Sequence, residues 1–144
     1  MKASKTRGFT IIEIMVVVLI IGILAALIAP NVLSRIDEAR VTKTKADLKS
    51  IEAALELYRL DNFRYPTTDQ GLKALVSNPN DASVRNWRAE GYLKQLPKDP
   101  WGNEYRYASP GANGTPFDLV SLGADGQVGG TGVDADISLR DVDH

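Results

Sequence analysis

A chain of 144 residues has room for one compact domain and an appended segment. Its 17 basic and 18 acidic residues leave a net charge of −1, which offers nucleic acid no bulk positive field. Cysteine is absent and the one histidine is the terminal His144, which argues against disulfides, thiolate metal sites, thiol nucleophiles, histidine-dependent triads and histidine-rich zinc sites.

Residues 1–8 are short, polar and cationic through Lys2, Lys5 and Arg7. From Phe9 to Ala29 the chain is apolar, interrupted by Thr10, Glu13 and Gly22. About 20 residues rising about 1.5 Å each cross a hydrocarbon core of about 30 Å. The positive flank predicts Met1 on the cytoplasmic side of an inner membrane, with the rest of the chain beyond the span, in a periplasm where the cell has two membranes. A secretory signal has a shorter apolar run followed by a small-residue cleavage site, and fits poorly. A plain anchor explains the length and charges but leaves Glu13 unexplained. A charge at a membrane helix centre costs about 2.5–3.5 kcal/mol, less near the interface. One turn into the run, Glu13 calls for a partner.

The string Gly8-Phe9-Thr10-Ile11-Ile12-Glu13 resembles the type IV prepilin signature, a basic leader ending in Gly, then Phe, then Glu four residues on. The resemblance implies cleavage between Gly8 and Phe9 by a prepilin peptidase and methylation of the new Phe9 amine. It also implies that Glu13 pairs with the N-terminal amine of a neighbouring subunit in a filament. Amine and carboxylate are each costly alone in a water-poor bundle and attract one another there. Gly22 is a weak helix former, and Pro30 lacks an N–H and crowds the Ala26 carbonyl, so the helix is weakest between them. A plain proline kink answers to that weakness, and so does the local melting in a filament that the resemblance implies.

Beyond Pro30 the pattern turns amphipathic. Leu48, Ile51, Leu55 and Tyr58 recur at three- and four-residue spacing, and Val32, Ile36 and Ala39 are expected to begin the same stripe. Arg35, Lys43, Lys45, Lys49, Glu52, Glu56 and Arg59 mark the other face, either solvated or, at Glu52 and Glu56, opposite a base such as Lys94 of an adjacent subunit. One helix from Phe9 to about Leu60 is predicted: residues 9–30 in the membrane or filament core, residues 31–62 packed on a head formed by residues 63–144. Asp61-Asn62 and Tyr65-Pro66 end it. Thr67-x-x-Gln70 offers a capping box to a short helix containing Leu72, Leu75 and Val76. Residues 77–91 are expected to form a surface loop, and Leu96-Pro97 and Asp99-Pro100-Trp101-Gly102 rigid turns. Tyr105–Ala108 and Phe117–Leu122 read as two antiparallel strands joined through a loop at Pro110–Gly114.

Leu60-Asp61-Asn62, Tyr65-Pro66-Thr67-Thr68, Gln70-Gly71-Leu72, Leu75-Val76, Asp99-Pro100-Trp101-Gly102 and Ser121-Leu122-Gly123-Ala124-Asp125-Gly126 resemble the major pseudopilins of type II secretion systems. With the N terminus, the likeness covers nearly the whole chain. Many adhesive type IV pilins close their C-terminal region with a disulfide, and this chain has no cysteine for one. The resemblance implies an α+β, type IV pilin-like fold: a long N-terminal helix on a small head with a short antiparallel sheet. It further implies a homo-oligomeric helical filament, the pseudopilus, acting as a piston or screw that exports folded proteins through an outer-membrane channel. Minor pseudopilins and an inner-membrane assembly platform would be its partners, a cytoplasmic-side ATPase its source of energy, and the chain itself would catalyse no reaction.

After Leu122 the chain is rich in glycine and acid. Glycines let the loop double back so that Asp125 can approach Asp134 and Asp136, and hard oxygen ligands suit calcium. Solvated Asp-Gly turns are the better reading from the residues alone, since the spacing fits neither an EF-hand nor a nonapeptide repeat. No Gly-Lys-Ser/Thr follows the glycines, which sets nucleotide binding aside. Similarity to the major pseudopilins, whose C-terminal loop binds calcium, implies a site built from the side chains of Asp125, Asp134 and Asp136 and the Leu122 carbonyl, with the Val133 carbonyl and Ser138 as further candidates. Asp141 and Asp143 fall in a tail expected to fray. Two rival readings remain: a type IV pilin for adhesion or motility, and a membrane-anchored calcium-dependent enzyme or binding module. The second lacks an evident acid–base pair or nucleophile.

Overall fold

The computed structural model describes residues 2–143; Met1 of the cationic leader and His144 lie outside the described residues. The chain divides after Glu38 into two compact units. One helix, α1 (Ile11–Asn62), supplies the regular structure of the first unit and the opening element of the second. It starts at Ile11 rather than Phe9 because Thr10 is its N-cap. The Thr10 hydroxyl accepts the Glu13 N–H at 3.2 Å, and the Glu13 carboxylate accepts the Thr10 N–H at 3.3 Å, a reciprocal capping box. The helix continues through Gly22 and Pro30.

In the first unit the apolar side chains of α1 are exposed, among them Val18, Leu19, Ile23 and Leu27. Mean hydropathy reaches 3.2 over 18 residues, enough in length and composition to cross a membrane.

In the second unit Leu48, Ile51, Leu55 and Tyr58 are fully buried, as their spacing predicts. Val32, Ile36 and Ala39 do not extend that stripe; all three are exposed, and burial begins at Val41 and Thr44. Helical periodicity marks a face without saying where its cover starts. That cover is Leu72, Ala74, Leu75, Val84, Tyr105, Leu119 and Ile137.

A three-stranded antiparallel sheet carries part of this core: β1 (Arg106–Ala108), β2 (Asp118–Ser121) and β3 (Ile137–Ser138), in that order. Tyr107 pairs with Leu119 and Val120 with Ser138. The third strand was not anticipated; two residues are too few to display an alternating pattern. Between β1 and β2 lie a cis Ser109–Pro110 bond and a 3-10 turn at Ala112–Gly114.

The Thr67–Gln70 capping box forms, with the Thr67 N–H on Gln70 Oε1 at 3.0 Å and the Gln70 N–H on Thr67 Oγ1 at 3.2 Å. The short helix beyond it is a single 3-10 turn, Leu72–Leu75. Residues 77–91 have no regular structure yet are not simply surface, because Val84 is buried and the Trp87 indole N–H donates to the Ala74 carbonyl at 2.8 Å.

Three tyrosines fasten the head to acids of α1. The hydroxyls of Tyr105, Tyr65 and Tyr92 donate to Asp47 (2.9 Å), Glu56 (2.6 Å) and Asp61 (3.0 Å). Burial, reinforced by the bond to Glu56, pushes the Tyr65 hydroxyl up to about 12, so it stays a neutral donor. Nor is the C-terminal tail frayed. Ser138 and Asp141 form a capping box on the 3-10 turn Leu139–Val142, and Lys49 pairs with Asp143 at 2.6 Å.

Burial divides neighbouring leucines of α1, which sets up a direct comparison. Leu55→Ala should cost about 2–5 kcal/mol, whereas Leu57→Ala, on the exposed face, should stay within about 0.5 kcal/mol. Denaturant unfolding of the detergent-solubilised chain, followed by tryptophan fluorescence, measures both.

Candidate functional site

Gly8 and Phe9 precede α1 and are exposed, Phe9 at 85%. No neighbour lies within 4 Å of where a Gly8 side chain would begin, so packing inside the chain does not explain that glycine, and the same is true of Gly22. The Gly8–Phe9 bond therefore lies in non-helical, accessible backbone. Glu13, the lone acid of the apolar run, is held by its own helix start. There its charge faces the unsatisfied N–H groups of the first turn, a favourable placement. The Thr-x-x-Glu spacing that announces this box was readable in the sequence.

The glycine-rich loop is hung from a buried carboxylate. Asp99 Oδ1 accepts the backbone N–H groups of Trp101 (3.1 Å) and Asn103 (2.8 Å), and Oδ2 accepts the Ser121 hydroxyl at 2.9 Å. Asn103 Nδ2 then donates to the Gly123 carbonyl at 3.1 Å. Across the loop the Ala124 N–H meets the Val133 carbonyl at 2.9 Å. Gly123 and Gly130 have φ of +67° and +87°, and a Cβ at either would lie within 2.7 Å of the Asp134 carbonyl. Both must be glycine for the loop to close.

Within the loop Asp125 Oδ1 accepts the Gln127 N–H and Asp136 Oδ2 the Gly129 N–H, each at 3.0 Å. Asp136 Oδ1 is buried and has no hydrogen-bond partner. Leu122, Val128 and Asp136 line one groove of about 340 Å³ along the sheet, whereas Asp134 reaches Gly123 and Gly130 through its backbone carbonyl. Among the described residues no three His, Cys, Asp or Glu converge into a metal-sized cluster. Asp99 and Asn103, which position the loop, escaped sequence reasoning; the Asp-Pro-Trp-Gly-Asn run was legible as a turn but not as an anchor.

On the charged face of α1, Glu52 pairs with Lys49 at 3.1 Å, and Glu56 pairs with Arg59 at 3.1 Å besides accepting Tyr65. Both glutamates thus have partners within the chain. At the far edge of the groove Asp118 accepts the Ala112 N–H at 2.7 Å and Arg140 at 2.7 Å, binding the β1–β2 connection to the C-terminal turn. The backbone N–H of Ala112, with Thr115 and Arg140, holds the Asp118 carboxyl below its usual 3.8 against a smaller opposing effect of burial.

A capped apolar helix whose second half carries a small antiparallel-sheet head defines the pilin-like class of subunits. Residues 31–140 match the family described as type II secretion system (T2SS), protein G, and residues 3–29 match the prokaryotic N-terminal methylation motif. The type II secretion system core protein G of Pseudomonas aeruginosa is 59% identical, over 98% of this chain and 99% of that one. Its counterpart from Vibrio cholerae is 54% identical, over 94% and 92%. The crystal structure of the major pseudopilin from the type 2 secretion system of enterohaemorrhagic Escherichia coli superposes with a TM-score of 0.64 at 44% identity, covering 76% of this chain and 93% of that one. The chain belongs to the type II secretion system protein G family.

A carboxyl with a depressed folded value contributes stability above its unfolded value and loses it as pH falls through the folded one. Thermal melts should therefore show the native chain more stable than Asp118→Asn above about pH 5, the gap closing as pH falls below about 4. Curves that stay parallel over that range would remove Asp118 from this role.

Proposed function

We propose that the chain is a structural subunit that polymerises into the periplasmic pseudopilus of a type II secretion system, the filament that drives folded proteins across the outer membrane. The observation that carries the reading is the first half of α1, an exposed apolar surface of membrane-spanning length that begins one turn before a single carboxylate. Before assembly that surface lies in the inner membrane and the head faces the periplasm; after assembly the helices of other copies cover it.

A prepilin peptidase cuts between Gly8 and Phe9, and the Phe9 amine is methylated. The cut leaves the Thr10–Glu13 box intact and creates a positive amine beside it. In the filament Glu13 meets the amine of another copy, an attraction that is strong where water is scarce. The stretch between Gly22 and Pro30 unwinds as helices pack, because Pro30 contributes no hydrogen bond to hold it. Minor pseudopilins and an inner-membrane assembly platform are the remaining partners. The chain's own work is mechanical rather than catalytic.

The glycine-rich loop holds calcium, with Asp125, Asp134, Asp136 and the Leu122 carbonyl as its protein ligands. The buried, unpartnered Asp136 Oδ1 and the loop's glycine-dependent closure support this. Calcium accepts carbonyl and water oxygens alongside carboxylates, so it does not require three acids in one tight cluster. Its role here is to staple a loop that has little apolar surface of its own.

Intact mass of the membrane-extracted chain should show loss of residues 1–8 and one added methyl group, and Glu13→Leu should abolish filaments and export. Normal polymerisation and export by that variant would refute the subunit reading. For calcium, chelation should lower the melting temperature of the solubilised chain, and Asp125→Ala should erase the difference. A melt indifferent to chelator would leave the loop without its metal.

A further inference from the structure

Gly123 opens the glycine-rich loop, and both of its backbone polar groups lead back to the buried carboxylate of Asp99. Its N–H donates to the Ser121 hydroxyl oxygen at 3.3 Å, and that hydroxyl donates to Asp99 Oδ2 at 2.9 Å. Its carbonyl accepts Asn103 Nδ2 at 3.1 Å, and the Asn103 N–H donates to Asp99 Oδ1 at 2.8 Å. Ser121 is fully buried and Asp99 is 4% exposed, so water does not compete for the bond between them.

The route through Ser121 reaches beyond Gly123. The Gly123 N–H and the Leu122 carbonyl belong to one planar trans peptide unit, in which N–H and C=O point in opposite directions. With the N–H turned to Ser121, the Leu122 carbonyl oxygen faces away from the Ser121–Asp99 pair. The β2–β3 register runs through Val120↔Ser138 and Ser121↔Ile137, and one further step sets Leu122 opposite Asp136. Both residues line the groove along the sheet. Donation by the N–H also polarises its own peptide, and the anion at the end of this buried chain of bonds reinforces the effect. The Leu122 oxygen is thereby both fixed in direction and enriched in negative charge.

We infer that Ser121 and Asp99 are positioning residues for the loop's calcium. They hold the Leu122 carbonyl in the orientation the ion uses and strengthen it as a ligand, without touching the ion themselves. The inference rests on the calcium reading and assigns the groups that set the affinity of that site. A hard cation favours oxygens of high partial charge, and the partners behind a ligand govern affinity alongside the ligand itself. Serine suits position 121 because one hydroxyl accepts from Gly123 while donating to Asp99.

The test uses the full-length chain in detergent: the native protein, Ser121→Ala and Ser121→Cys. Calcium affinity is read by competition with a fluorescent chelator, and melting temperature is read in calcium and in chelator. Loss of the hydroxyl should weaken calcium binding about tenfold or more, and the gain in melting temperature that calcium confers should shrink. A residue that only packs the strand would lower both melting temperatures together and leave the affinity native. That result from Ser121→Ala overturns the inference and leaves the calcium reading standing. Ser121→Cys keeps nearly the same volume but offers sulfur, a weak acceptor, and carries the test if Ser121→Ala does not fold. It too should bind calcium more weakly than the native chain, and native affinity in this variant overturns the inference. A native chain that binds no calcium sinks both.

Discussion

Apolar side chains between Ile11 and Leu33 of α1 stand exposed in the single chain, and water penalises each of them. So large a continuous apolar surface requires either lipid or other copies of the same helix. The rest of the molecule is arranged around that demand. The Thr10–Glu13 box gives the helix a capped start and the one acid of its apolar run a local partner, and Gly8 and Phe9 remain in accessible backbone ahead of it. A subunit built this way can wait in a membrane and later exchange lipid for protein, because both environments suit the same surface.

The second half of the helix solves a different problem. A small head with no disulfide has to be held on a single helix face, and hydrophobic burial of Leu48, Ile51, Leu55 and Tyr58 does most of it. Tyrosine hydroxyls reaching Asp47, Glu56 and Asp61 add direction, since each joins a different segment of the head to a different turn of α1. The Lys49–Asp143 and Arg140–Asp118 pairs then bring the C-terminal turn back to the helix and to the β1–β2 connection. Exposed pairs of this kind contribute little each, and here they tie Arg140 and Asp143 to the rest of the head.

The glycine-rich loop shows how few buried groups can organise a poorly apolar segment. Asp99 spends both carboxylate oxygens on three donors, two in its own turn and one on β2, and Asn103 passes the constraint on to Gly123. The loop that results is closed but leaves Asp136 Oδ1 unpaired, which is what favours the proposed calcium. Its tip at Val128 is exposed, as are Leu57, Leu60 and the left-handed Phe63 at the end of α1.

Much of this architecture was legible in the residues. The apolar run, Glu13 behind Gly8-Phe9, the Leu48–Tyr58 stripe and the Thr67–Gln70 box all depend on short-range spacing, and helix periodicity and capping are short-range physics. Where the sequence pattern failed, the deciding contact lay far along the chain. Val32, Ile36 and Ala39 share the period of the buried stripe but are exposed. Ile137–Ser138 becomes a strand because β2 offers an open edge. Asp99 becomes an anchor because Ser121 arrives beside it, and the tail stays ordered because Lys49 is within reach. The sequence by itself determined the helix and its capping boxes, since those interactions span four residues or fewer. Only the tertiary structure decided the cover of the helix, the third strand and the suspension of the loop, because burial and long-range pairing exist once distant segments have met, and not before.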